Sequence, residues 1–202
     1  MKKLIIIGLL FLCTGFVHAQ KVAVVLSGGG SKGAAHIGVL RALEENQIPI
    51  DYIAGTSIGA IIGGLYASGW TTDQMEQLIT SEQFLMWATG AIDEKYVYYF
   101  KQPDLDASWA SFRVNADSIW SFDVPTNLVS SGQMDFIFME IFAQANAICK
   151  GNFDSLFVPF RCIGANITDS KAEVFRSGNL VKSIRASMTY PLYFKPITID
   201  GK

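Results

Sequence analysis

Between Lys21 and Ala67 the chain runs twice from a short apolar stretch through glycine into a helical pattern, and this alternation decides most of what it can fold into. Lys21 to Ser27 (KVAVVLS) is rich in β-branched residues and closed by glycines, so it reads as a buried strand. Gly28 to Gly33 is a loop. From Ala34 the residues Ala35, Ile37, Val39, Leu40 and Leu43 recur at helical spacing to about Glu45. Tyr52 to Gly55 is a second strand, and Ser57 to Ala67 a second helix rich in small residues. Thr72 or Asp73 can cap a third helix that carries Met75, Leu78 and Ile79 on one face. Strands alternating with helices build a parallel sheet covered by helices. The expected fold is therefore α/β, a three-layer α/β/α domain with a mainly parallel central sheet.

Further along, the region from Ala88 to Ser131 is aromatic and loop-rich, with Trp109 to Val114 as a candidate strand. Gln133 to Ile148 is a helix, Phe157 to Ile167 and Ala172 to Phe175 are strands, and Leu180 to Ser187 is a short helix. Pro196 to Ile199 (PITI) alternates like a strand and runs into Asp200-Gly201, a strong two-residue hairpin signal. Lys202 would open the returning strand, which leads to the expectation of a truncated sequence. The pattern holds no internal repeat and no linker.

The first residues are set apart from the fold. Lys2 and Lys3 precede an apolar run from Leu4 to Phe16, and Val17-His18-Ala19 ends in a small residue. This is the layout of a secretory signal peptide cleaved after Ala19, and the run is shorter than the ~20 residues that span a bilayer. Cys13 does not make it a lipoprotein leader, because Leu12 is bulky and the positive region short. The expected domains are 1–19 as signal peptide and 20–202 as one domain, incomplete at its C-terminus, with the protein exported to periplasm, outer membrane or medium. The net charge of −2 and the lack of a basic stripe give no footing for nucleic acid. Cys149 and Cys162 can either pair or sit as two buried thiols. With His36 the one histidine beyond the leader, no metal site is expected.

Two glycine-rich turns carry the chemistry. Gly55-Thr56-Ser57-Ile58-Gly59 has the form of a nucleophile elbow, lying after a strand and before a helix. A nucleophilic serine on so tight a turn projects its hydroxyl clear of the backbone, and Gly55 and Gly59 let strand and helix approach closely. The bland alternative is a tight strand-to-helix turn with an incidental serine. The second turn, Gly28-Gly29-Gly30-Ser31-Lys32-Gly33, places backbone N–H groups where an anion can meet them. Gly28, Gly30 and Gly33 satisfy a dinucleotide fingerprint, but that reading wants an acidic residue at the end of the second strand, and Asp51 precedes its strand. A phosphate-binding P-loop fails on spacing. An oxyanion hole for the charge that develops during attack by Ser57 fits better, one such donor being worth ~3 kcal/mol of barrier. Lys32 is either a head-group contact or a solvated lysine. His36 lies upstream of Ser57 in a helix and reads as a satisfied helix residue rather than a base, so a carboxylate acting directly is the simplest activator.

With these features the chain resembles the patatin-like phospholipases of the exported bacterial type, lipid acyl hydrolases that use a Ser–Asp dyad without histidine. The resemblance runs from Lys21 to Lys202 and rests on GGGSKGAAHIGVLRALEE, AGTSIGAIIGGLYASG and SIRASMTYPLYFKPITIDGK, in that order. It implies Ser57 as catalytic nucleophile, an oxyanion hole from Gly28, Gly29 and Gly30, and Gly55 and Gly59 as the elbow glycines. It also implies no cofactor, a phospholipid or glycerolipid substrate met at a membrane surface, and a C-terminal membrane barrel in some complete relatives. The family's Asp sits in an Asp-Gly-Gly/Ala motif, whereas Asp200-Gly201 is followed by Lys202. Asp200 is therefore the weaker candidate base and the expected turn residue, with the dyad Asp expected later. The alternative function is a catalytically incomplete fragment or lipid-binding module without its Asp.

Overall fold

The computed structural model describes residues 20–92 and 127–201. The leader and the candidate strand Trp109 to Val114 lie outside them. Strand β1 (Ala23–Leu26) ends in the glycine loop, and a 3-10 turn, Gly30–Ala34, feeds α1 (Ala35–Glu45). Then follow β2 (Tyr52–Thr56), α2 (Ile58–Ala67), α3 (Thr72–Ile79), α4 (Glu82–Thr89), β3 (Asn127–Val129) and α5 (Gly132–Cys149). The chain continues through β4 (Phe160–Asn166), β5 (Lys171–Phe175), α6 (Leu180–Met188) and β6 (Leu192–Phe194).

The central sheet has the order β1-β2-β4-β5. Its first three strands are parallel, with Leu26 beside Gly55 and Gly55 beside Cys162, and β5 returns antiparallel to β4. This is the α/β class expected, with a mainly parallel central sheet, and it is consistent with a three-layer α/β/α domain. β3 and β6 form a separate parallel pair.

Strand alternation sorts the two faces of the sheet. Leu26, Ile53, Phe160 and Cys162 share the face that is buried. Against it lies α2, in which all ten residues are buried. A helix apolar on every side belongs in the middle of a domain, and the small residues let it sit there. A Cβ on Gly63 would touch the Phe160 ring at 3.3 Å, and one on Gly64 would come within 2.6 Å of Ile184 in α6. Helix α5 closes the same side with Met134, Ile137, Phe138, Phe142, Ala145 and Cys149, a stripe at three- and four-residue spacing. The steps from β1 to β2 and from β2 to β4 go the same way across the sheet. The other face shows Val25 and Val174, 77% and 45% exposed among the described residues.

Two local expectations are corrected and others completed. Helix α3 is capped by Thr71, not Thr72 or Asp73: its hydroxyl accepts from Gln74 N, and the Gln74 side chain accepts from Thr71 N, a reciprocal capping box. Pro196 to Ile199 forms no strand; Pro196 has no N–H to give a ladder, and no described strand pairs with this stretch. Helix α4 and the β3–β6 pair are additions. The two cysteines are free and buried, and burial pushes the Cys162 thiol up to about 12, which leaves it protonated and inert at neutral pH.

Candidate active site

Ser57 stands between β2 and α2 with φ 55° and ψ −121°. A serine there costs about 1–3 kcal/mol of backbone strain, so its surroundings must impose it. They do so from both sides. A Cβ on Gly55 would lie 2.2 Å from the Gly59 carbonyl oxygen, and one on Gly59 would lie 2.3 Å from that of Leu26. Only glycine permits strand, turn and helix to come this close. The Ser57 carbonyl accepts from Ala60 N and Ile61 N at 2.9 and 3.1 Å, which starts α2. Its N–H donates to Ser187 Oγ at 3.0 Å, and Ser187 in turn donates to the Ile163 carbonyl at 2.6 Å. Among the described residues nothing hydrogen-bonds the Ser57 hydroxyl. The half-buried serine thus has its backbone clamped and its side chain free, at the positive end of a ten-residue helix.

The glycine loop runs beside it. A Cβ on Gly28 would meet Ser57 Cβ at 3.3 Å, so the end of β1 and the elbow are in contact. Gly29 has φ 153° and Gly30 φ 58°, conformations that favour glycine, and the loop is exposed. Further on, Gly33 packs on α2 so closely that a Cβ would sit 2.3 Å from an Ile58 methyl. The structure therefore brings Gly28, Gly29 and Gly30 together with Gly55, Ser57 and Gly59 at the carboxyl ends of two adjacent parallel strands. Gly28 thus touches the elbow directly, while Gly29 and Gly30 follow it in an exposed stretch of the same loop.

The remaining sequence candidates lie apart. His36 Nε2–H donates to the Ser27 carbonyl at 2.9 Å and clasps α1 to the start of the loop. Asp51 accepts from Val22 N at 2.8 Å, joining the other ends of β1 and β2, away from the loop. Lys32 is exposed. Asp200 is exposed on a turn with φ 50°, followed by Gly201 at φ 80°, the pair of positive angles that a type I′ turn requires, and no hydrogen bond joins it to Ser57. Among the described residues no group of three or more His, Cys, Asp or Glu could hold a metal, and no helix is long and apolar enough to cross a membrane.

Two residues of α6 had no role read from sequence. Ser187 is one. The other is Arg185, 3% exposed, whose guanidinium is paired with Asp135, donates to Thr189 and to the Lys195 carbonyl, and lies over the Phe194 ring. The arginine joins α5, α6 and the segment after β6. Both lie within SIRASMTYPLYF, and each takes its meaning from a partner far away in sequence.

Residues 24–202 match the model of the patatin-like phospholipase family. The chain is 31% identical over 176 residues to patatin-like phospholipase domain-containing protein ZK370.4 of Caenorhabditis elegans, covering 87% of this chain and 11% of that protein. It is 32% identical over 184 residues to lysophospholipase NTE1 of Mycosarcoma maydis, covering 90% and 8%. Human patatin-like phospholipase domain-containing protein 6 is 30% identical over 176 residues, covering 87% and 10%. A solved structure, the type III effector protein ExoU, aligns with a TM-score of 0.47 at 17% identity, covering 87% of this chain and 40% of that one. The chain spans about a tenth of the length of these curated relatives. They overturn the exported localisation expected from the leader. They are eukaryotic proteins, not bacterial ones, in which the matched part is a small share of a long chain.

Proposed function

Because the chain belongs to the patatin-like phospholipase family, we propose that it hydrolyses acyl esters of phospholipids or glycerolipids, with Ser57 as nucleophile. The observation that carries this reading is the close approach of the Gly28 loop to the strained serine, whose hydroxyl hydrogen-bonds nothing among the described residues. Ser57 Oγ attacks the acyl carbonyl carbon and its proton passes to a carboxylate. The carbonyl oxygen, now negative, is held by amides of Gly28, Gly29 and Gly30. Collapse breaks the ester bond, the alcohol leaves with the proton, and the acyl group stays on Ser57. Water activated by the same carboxylate then releases the fatty acid. The protein needs no cofactor for these steps. The carboxylate is that of a dyad Asp, and the exposed turn position of Asp200 makes it the weaker choice.

The test is a fluorophosphonate probe and a short-chain ester assay on the chain and on Ser57→Ala and Asp200→Asn. Labelling and hydrolysis in the parent that vanish in Ser57→Ala support the reading; equal labelling of both sinks it. Unchanged hydrolysis in Asp200→Asn removes Asp200 as base. The lack of a link between Asp200 and Ser57 favours a second reading, a lipid-binding module without turnover. Binding to phospholipid vesicles with no ester hydrolysis in the parent would select it.

A further inference from the structure

Ser187 spends its hydroxyl in an unusual way for a serine inside a helix. Such a hydroxyl ordinarily bonds back to the carbonyl one turn earlier. Ser183, four residues before it in α6, does this with the Asn179 carbonyl at 3.0 Å. Ser187 instead reaches off its helix to two other elements. Its one proton goes to the Ile163 carbonyl in β4, which leaves an oxygen lone pair to accept the Ser57 N–H. The directions of both bonds are thereby set. The serine is buried, 8% exposed, so water offers the Ser57 amide no ready replacement. Thr56 and Ile163 are register partners, which places this bridge just past the last rung between β2 and β4, where the chain turns into its strained conformation.

We infer that Ser187 is a positioning residue: it holds the backbone of Ser57 so that the side chain is presented to substrate, and it governs how fast Ser57 reacts. The inference rests on the reading of Ser57 as nucleophile. It assigns Ser187 no contact with substrate. Without the bridge the Ser57 peptide can relax out of its positive-φ conformation, and the hydroxyl moves relative to the glycine loop.

Three variants test it: Ser187→Ala, Ser187→Thr and, as a control that loses only a bond within α6, Ser183→Ala. Each is followed by the rate of fluorophosphonate labelling, by exchange of the Ser57 amide hydrogen, and by thermal unfolding. Ser187→Ala is expected to slow labelling by roughly tenfold or more, since misplacement of a reacting group by about 1 Å costs ~10²-fold, and to strip protection from the Ser57 amide. Ser183→Ala keeps both close to the parent at a comparable melting temperature, and Ser187→Thr, which retains the hydroxyl, recovers labelling. Should Ser187→Ala not fold, Ser187→Cys keeps the volume with a weak acceptor and is read in the same way. Labelling of Ser187→Ala as fast as that of Ser183→Ala, or a Ser57 amide that stays protected, overturns the inference. A parent chain that the probe does not label is a different failure, that of Ser57 as nucleophile, and shows before any variant is compared.

Discussion

Replacing Gly59 with alanine puts a methyl carbon 2.3 Å from the Leu26 carbonyl oxygen and 2.7 Å from that of Ser27, about 1 Å short of the 3.4 Å at which ordinary contact begins. Neither obstacle is a side chain that can swing away. Leu26 ends β1 and is locked in register beside Gly55. Nor can α2 simply retreat, because α6 presses on its far side through Ile184 against Gly64. Overpacking of a rigid site costs typically 1–3 kcal/mol, and a clash with backbone on one side and a packed helix on the other belongs at the top of that range, about 3 kcal/mol. The shift also reaches the chemistry, since Ser57 is the N-cap of α2. A displacement of about 1 Å between hydroxyl and glycine loop is expected to slow fluorophosphonate labelling by ~10²-fold. Urea unfolding and labelling of Gly59→Ala are the assays. A variant that unfolds within about 0.5 kcal/mol of the parent and is labelled as fast would refute the close-approach argument, because that is the scatter of ordinary surface substitutions.

Three other outcomes follow from named contacts. Gly38 is exposed in α1 and a Cβ there would meet nothing within 4 Å, so Gly38→Ala should raise stability by about 0.5–1 kcal/mol in urea unfolding; a loss would mean the site is not open. Arg185→Ala should lower stability by roughly 3 kcal/mol, at the low end for a broken buried pair because Asp135 keeps 41% of its side chain in solvent; a drop under about 1 kcal/mol would show that the arginine joins nothing. Burial, helped by the nearby Glu44, pushes the Tyr66 phenol from 10.0 up to about 12, so the unfolded chain ionises first, and stability present below pH 10 is lost as pH rises towards 12. Tyr66→Phe should flatten that loss in a melting-temperature series; equal slopes in parent and variant would count against it.

What the sequence made legible was what local pattern encodes. The alternation from Lys21 to Ala67 showed β1, α1, β2 and α2 within a residue or two, since β-branched runs and helical stripes report burial directly. The long stripe of α5 was equally plain. Legibility failed where the deciding partner is distant in sequence. Asn127–Val129 and Leu192–Phe194 are three-residue strands that exist because of each other, and neither carries a signal alone. PITI alternates well but pairs with no strand among the described residues. The short helix α4 does have local marks, Ser81 accepting from Phe84 N and Gly90 in the left-handed conformation, but they stand at the edge of an aromatic stretch with no clear stripe. In the site, both glycine turns were readable because a tight turn writes its need for glycine into the chain. The bond from Ser57 to Ser187, 130 residues away, could not be read, since a buried serine hydroxyl in a helix looks the same whichever way it points.

The contacts of Gly28 with Ser57 and of Gly59 with the end of β1 have a consequence for anyone who would move this site to another scaffold. The pentapeptide around Ser57 is not a portable unit. Half of the surface that forces the serine into shape belongs to a different strand, and the donors it would use belong there too. Gly28 and Gly59 are two sides of a single joint, and a transplant that carried one without the other would carry the name of the motif and little of its geometry.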